Sequence, residues 1–248
     1  FGNLARAEEL FREIISRSPY SYYGLRSRYR LSHSIDPLPP IPYADSLLIE
    51  FPKKKVSHLI RSPAFLKAKK LIDLGLGERG AETLREAISA QALTQTSWEF
   101  QYYVAALYTM AGDHLSAFSI LYGLQKSHLP VLPHEHLLIL YPKKYWSLVS
   151  RYARHYAIDP YLTLSIMRQE SAFDPAIISP ADAYGLLQMT PYMAKEMGKK
   201  LGRPLQLRDE LLNPTLNLLY CTSYFSGLLK KYKGNLVLAL AAYNANDR

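Results

Sequence analysis

Apolar positions recur every three to four residues along most of the chain. In residues 4–15, LARAEELFREII, the side chains of Leu4, Ala7, Leu10, Phe11, Ile14 and Ile15 fall on one face. That is the period of an amphipathic helix. Ser18-Pro19 ends it, and a short aromatic helix, SYYGLRSRYRL, follows. Asp36-Pro37-Leu38-Pro39-Pro40-Ile41-Pro42 cannot be helical and predicts an extended polyproline connector. Beyond it Ser62-Pro63 reads as an N-cap followed by a first-turn proline. Helical patterns then cover residues 79–90, 96–111 and 113–126. Helices joined by short turns predict a helical-hairpin array. They share no fixed period that would license a named repeat family.

The stretch from Leu129-Pro130 to Tyr141-Pro142 marks the expected boundary between two domains, 1–141 and 142–248. The second opens on a helix at 143–157. Asp159-Pro160, Pro191 and Asn213-Pro214 each start another. Residues 176–190 are rich in small residues and turn-like, with room for one very small sheet around Tyr184–Met189. On the Asn213-Pro214 helix Leu218, Cys221, Phe225, Leu228 and Tyr232 fall at spacings of three and four, a core stripe. Gly234 closes it, and LVLALAAYNA begins one more helix. The expected fold is mostly α.

With 248 residues the chain can bury a sizeable core. Its net charge of +9 is uneven: residues 1–141 carry 16 basic and 13 acidic side chains, residues 142–248 carry 14 and 8. A basic surface favours nucleic acid, membrane headgroups or an acidic wall polymer. No apolar stretch approaches the roughly 20 residues of a bilayer crossing. The single cysteine, Cys221, excludes an internal disulfide and a Cys-based zinc site. It reads as a small core residue. Phe1 is not preceded by a leader pattern, so the chain reads as a fragment or mature form, with any export signal outside it.

Three short motifs carry little. Gly75-Leu76-Gly77-Glu78-Arg79-Gly80 matches a dinucleotide fingerprint but follows a helix, so it reads as a helix–helix turn. His134-Glu135-His136 has no further ligand cluster beside it, and no metal or cofactor is expected. Lys53-Lys54-Lys55 reads as a solvated face.

Glu170 is different. It ends a largely apolar helix, with Ile166, Met167 and Phe173 one turn to either side. Lost solvation raises the pKa of such a carboxyl, and a Glu kept protonated near neutral pH can serve as a general acid. The bland reading is an exposed Glu at a helix end.

The surrounding blocks decide between them. Glu170-Ser171-Ala172-Phe173-Asp174-Pro175 is followed by Ser179-Pro180, then Ala183-Tyr184-Gly185-Leu186-Leu187-Gln188. Asn213-Pro214 with Asn217 and Ala242-Tyr243-Asn244-Ala245 come next, in that order. Together they resemble the catalytic domain of soluble lytic murein transglycosylases, a lysozyme-like family with the pattern E-S-x-F/W-(N/D)-P, S-P-x-G-A-x-G-L-M-Q, N-P-x-x-N, A-Y-N-A-G. The resemblance spans about 142–248. More loosely, the first half looks like the helical linker region preceding that domain.

The resemblance implies a lysozyme-like α+β fold with a very small sheet. It also implies cleavage of the β-1,4 bond between N-acetylmuramic acid and N-acetylglucosamine in peptidoglycan, leaving 1,6-anhydromuramyl ends. Glu170 would be the catalytic acid and base. Ser179 and Gln188 would line the glycan groove, Tyr243 would reach toward Glu170, and Asn244 would brace the start of its helix. The partner would be peptidoglycan strands rather than nucleic acid, in the periplasm or envelope of a bacterium. The chain departs from the pattern at Asp182 (family Gly), at Leu187 (family Met), in the displaced Met189-Thr190, and at Ala245-Asn246, close to the chain end. That end suggests a C-terminally truncated groove. Two other readings stand beside this one: a hydrolytic lysozyme in which Asp182 or Asp174 activates water, and a non-enzymatic wall-binding scaffold.

Overall fold

The computed structural model describes residues 4–17, 19, 21–31, 58–126 and 136–245. The polyproline stretch, Lys53-Lys54-Lys55, His134 and Glu135 lie outside them. Thirteen α-helices are described: α1 (Leu4–Arg17), α2 (Tyr22–Arg30), α3 (Pro63–Asp73), α4 (Gly77–Ala87), α5 (Ala90–Thr94), α6 (Trp98–Ala111) and α7 (His114–Lys126) come first. They are followed by α8 (His136–Leu140), α9 (Trp146–His155), α10 (Pro160–Ser171), α11 (Pro191–Lys200), α12 (Pro214–Lys231) and α13 (Leu236–Asn244).

One local device starts four of them. A small polar residue caps the backbone, and proline takes the first turn, where its missing N–H costs nothing. Ser62 Oγ accepts from Phe65 N (3.2 Å), Asp159 Oδ1 from Tyr161 N (2.8 Å), and Asn213 Oδ1 from Thr215 N (2.9 Å). Thr190 does the same before Pro191. The glycine motif is indeed a helix–helix turn: Gly75 is left-handed at φ 77°, and Gly80 sits against Ile72 on α3.

A contiguous apolar core runs from Ile60 to Ala242. Phe65, Leu84, Val104 and Leu121 fill it in α3–α7, and Met167, Phe173, Leu186, Leu187 and Tyr220 fill it further on. The core stripe expected on α12 is there: Leu218, Cys221, Phe225 and Leu228 are buried. The stripe expected on α1 is not. Of its six apolar positions only Ile15 is buried, and Leu4 is 82% exposed. Periodicity states which residues share a face and leaves open what covers that face.

The small sheet shrinks to two isolated antiparallel bridges, Ile178 to Tyr184 and Tyr184 to Met189. A segment this short, kinked at Gly185, has too few backbone pairs for a ladder. Its remaining polar groups are satisfied by side chains.

Candidate active site

Helix α10 carries Glu170 in its last turn and ends one residue later. Both Ala172 (φ 47°) and Phe173 (φ 66°) are then left-handed. For residues with a Cβ this costs roughly 1–2 kcal/mol each, so surrounding contacts must impose it. Phe173 is buried to 1% exposure, and Ser171 Oγ donates to Leu186 O at 2.8 Å. The reversal therefore locks the end of α10 onto the turn at 184–189. Half-buried Glu170 stays in the last helical turn, and burial raises its carboxyl above the ordinary value. Among the described residues no cationic partner offsets that desolvation, which is the environment expected from Ile166, Met167 and Phe173.

The turn is held by Asn217 of α12, whose side chain is fully buried. Its Nδ2 donates to Tyr184 O (2.8 Å) and Leu211 O (2.9 Å), and its Oδ1 accepts from Leu187 N (2.9 Å). One amide thus serves three backbone groups, and of these Tyr184 O also accepts from Met189 N at 3.1 Å. Gly185 permits this. A Cβ there would stand 2.4 Å from Leu211 O and 2.7 Å from Asn217 Nδ2. Leu187 is fixed from its other side as well, because Tyr243 Oη donates to its carbonyl at 2.7 Å.

The residues singled out from sequence are placed as follows. Tyr243 lies on α13 against the rings of Tyr224 and Phe225, both at 5.7 Å between centroids. Burial is the main reason its phenol is hard to ionise, and the nearby Cys221 and Glu170 add to it. So Tyr243 is close enough to feel Glu170, but its proton is committed to the Leu187 carbonyl. Gln188, itself left-handed at φ 51°, turns its Nε2 back to Gly185 O (3.0 Å) and Ile177 O (3.3 Å). Its amide N–H thus closes the loop, and the carbonyl end is what it can offer a ligand. Ser179 Oγ accepts from Ala183 N at 3.2 Å, closing the preceding turn. Asn244 is exposed and is the last residue of α13, not its start. The start is capped by Asn235, whose side chain accepts from Leu238 N. The bracing expected of Asn244 therefore falls to another residue.

Asp182 and Asp174 are both exposed. Asp182 Oδ2 pairs with Arg208 at 3.0 Å, and Asp174 Oδ1 accepts from Ala176 N at 2.8 Å. Asp182 is thus engaged by a residue 26 positions away, and Asp174 by the backbone of its own turn. Leu187, standing where the pattern has Met, is a buried core side chain, a volume-conserving exchange of the kind cores tolerate. Cys221 is buried beside Leu187 O and Asn217 Oδ1, and burial pushes its thiol up to about 12. It is a packing residue. Among the described residues there is no cluster of three or more His, Cys, Asp or Glu, and no helix long and apolar enough to cross a membrane.

Two residues that organise this site carry no role in the sequence reading. Asn217 was visible only as a motif letter, although a lone amide among the apolar positions of α12 was a signal of a buried polar bond. Ser171 followed the Glu without any pattern to say where its hydroxyl went.

The sequence and the backbone are similar to those of known proteins. Residues 147–248 match the family model described as "Transglycosylase SLT domain". The soluble lytic murein transglycosylase of Salmonella typhimurium is 36% identical over 112 residues, covering 45% of this chain and 17% of that protein. The membrane-bound lytic murein transglycosylase C of Sodalis glossinidius is 36% identical over 98 residues, covering 38% and 27%. This chain thus spans well under a third of the length of these relatives. Its backbone is similar to that of the 70-kDa soluble lytic transglycosylase of Escherichia coli, with a TM-score of 0.68 and 22% identity over 98% of this chain and 36% of that one. A 70-kDa soluble lytic transglycosylase in complex with bulgecin A gives a TM-score of 0.67 at 23% identity, over 97% of this chain and 35% of that one. The likeness extends over the helices that precede the site as well as over the site itself. Residues 147–248 thus carry the sequence pattern of the transglycosylase SLT domain.

Proposed function

We propose that this chain is a lytic transglycosylase cleaving the β-1,4 bond between N-acetylmuramic acid and N-acetylglucosamine in peptidoglycan. The observation that carries the reading is Glu170: a half-buried carboxyl, raised by burial alone, at the end of a helix locked to the turn at 184–189. A protonated carboxyl without an ionic partner is a proton donor. Glu170 gives its proton to the glycosidic oxygen, and the bond to the anomeric carbon breaks. The substrate's own N-acetyl oxygen stabilises the cationic carbon, so no protein nucleophile is needed. Glu170, now a carboxylate, removes the proton of the muramyl 6-hydroxyl, and that oxygen closes on the anomeric carbon. The enzyme returns to its starting protonation state, no water is consumed, and the product carries a 1,6-anhydro end.

Two-carboxylate hydrolysis is disfavoured by the partners that occupy the aspartates. Glycosidases of that kind hold a second carboxyl about 5–9.5 Å from the first. Asp182 is instead paired with Arg208, and Asp174 is engaged in its own turn. In this reading the Gln188 carbonyl end and Ser179 face the glycan. Tyr243 fixes Leu187 and limits the solvent around Glu170. Residues 142–248 act as the catalytic domain, and residues 1–141 as a helical array joined to it. The relatives that match are bacterial, and the site of action is taken to be the periplasm or envelope.

The test is Glu170→Gln on purified sacculi, with products weighed by mass spectrometry. The parent should release anhydro ends, lighter by one water than hydrolysed ends. The variant should lose at least the roughly 10²–10⁴-fold that acid–base assistance contributes and still bind glycan. Reducing ends from the parent, or near-parental cleavage by the variant, would overturn the mechanism.

A further inference from the structure

Arg168 lies two residues before Glu170, and two residues are about 200° around an α-helix. The two side chains therefore leave α10 on opposite sides. Arg168 points back into the preceding helices. Its Nε donates to Leu140 O at 2.6 Å, at the end of α8, and its Nη2 donates to Tyr122 Oη on α7. The guanidinium also stands over three rings: Phe118 at 4.6 Å, Tyr141 at 4.9 Å and Tyr122 at 5.8 Å. Its planar fork and flat faces suit both kinds of contact at once. A second contact lies just past Glu170. The ring of buried His114, the first residue of α7, meets Phe173 at 5.6 Å and Phe118 at 6.1 Å. The turn that carries Glu170 is thus gripped on both sides by α7.

We propose that Arg168 is a positioning residue, through which α7 and α8 hold the last turn of α10 and thereby set the placement and burial of the Glu170 carboxyl. This rests on Glu170 being the acid. Lysine at 168 keeps a cation but has no planar fork to reach the carbonyl and the phenol together while covering the rings. The α10 end would gain freedom, and water would reach Glu170. Two consequences follow that plain loss of stability does not produce. Catalysis falls while glycan affinity holds, and the alkaline limb of the pH–rate profile moves toward lower pH as desolvation of the acid is relieved.

The experiment compares the parent, Arg168→Lys, Tyr122→Phe and Glu170→Gln on soluble glycan oligomers, at a temperature where circular dichroism shows each is folded. Arg168→Lys should lower kcat about 10-fold to 100-fold, the scale of a small misplacement of a reacting group. KM should stay near the parental value, and the alkaline limb should shift to lower pH. Tyr122→Phe removes one hydroxyl from a part-exposed ring and should cause a smaller change in the same direction. It carries the test if Arg168→Lys does not fold. Parental kcat and pH profile in the folded Arg168→Lys and Tyr122→Phe variants would overturn the proposal while leaving Glu170 as the acid. A loss confined to KM would do the same. An active Glu170→Gln would overturn both.

Discussion

Residues 58–126 and residues 142–245 use the same element, the short capped helix, and connect it differently. In the first stretch the described left-handed residues are the glycines Gly75 and Gly112, one closing α3 and the other α6. Glycine accepts that conformation without penalty. In the second stretch seven residues with side chains are left-handed, and four of them, Ala172, Phe173, Asp182 and Gln188, lie between α10 and α11. The buried contacts differ in the same way. Phe65 packs on Phe100 and Tyr103, with centroids 6.1 and 6.5 Å away, and apolar burial does the holding. Around Leu187 the holding is done by Asn217, Ser171 and Tyr243 through hydrogen bonds to backbone. Greasy packing tolerates relaxation, whereas a strained turn held by directed bonds keeps one shape. The second arrangement suits a site that must place a single carboxyl.

The largest effects should separate the two materials. Phe65→Ala should cost about 3–5 kcal/mol of stability by opening a cavity, and it should leave kcat per folded molecule near the parental value. Asn217→Ala strands the Leu211 carbonyl and the Leu187 N–H, each at about 1–3 kcal/mol, and leaves Tyr184 O with Met189 N alone. It should reach a similar loss of stability and also lower kcat strongly. Chemical denaturation paired with turnover on glycan oligomers measures both. Equal kcat in the two variants would erase the distinction between packing and bracing.

The junction between the stretches should respond to acid. Burial, with help from Lys144, lowers His114 to about 4 from an ordinary 6.5, although Asp113 pulls the other way. Its Nδ1 makes no hydrogen bond among the described residues. The sign follows from which state binds more protons. Between pH 6.5 and about 4 the unfolded chain takes up the proton first, so stability present above 6.5 is lost as pH falls through that window. A shift of this size corresponds to about 3 kcal/mol. His114→Phe keeps a ring against Phe118 and Phe173, and it should flatten the loss of melting temperature over that range. An unchanged slope would mean that another group controls it.

Helix starts were legible because cap and proline are local: Ser62-Pro63, Asp159-Pro160 and Asn213-Pro214 each satisfy N–H groups within three residues. Glu170 was legible as a carboxyl among apolar neighbours on its own helix. The rest depends on distant pairs. Asn217 reaches Leu187 across 30 residues, Arg168 reaches Tyr122 across 46, and Tyr243 reaches Leu187 across 56. No periodicity encodes where such a side chain ends. For the same reason Gln188 could be given a place in the groove but not its turn back to Gly185 and Ile177, and the apolar face of α1 could be drawn without knowing that only Ile15 of it is buried.

Asp182→Gly is the smallest change and bears most directly on the choice between lyase and hydrolase. Asp182 occupies a left-handed position, φ 58°, where the family pattern has glycine. Glycine should relieve strain there, a gain of up to about 1 kcal/mol given that Asp tolerates the conformation better than most residues. The change also removes the pair with Arg208. Both partners are more than half exposed, so that pair contributes about 0–1 kcal/mol. The two effects oppose each other, and the net shift should stay within about 0.5 kcal/mol. Chemistry should not change at all if the Asp182 carboxylate serves only its pair with Arg208: parent and variant should release anhydro ends at similar rates. If Asp182 instead activated water, the parent would release reducing ends and the variant would lose them. That result would make the strained, charged loop between α10 and α11 a second catalytic element, and the contrast between its geometry and the glycine-closed turns of the first stretch would acquire a chemical purpose.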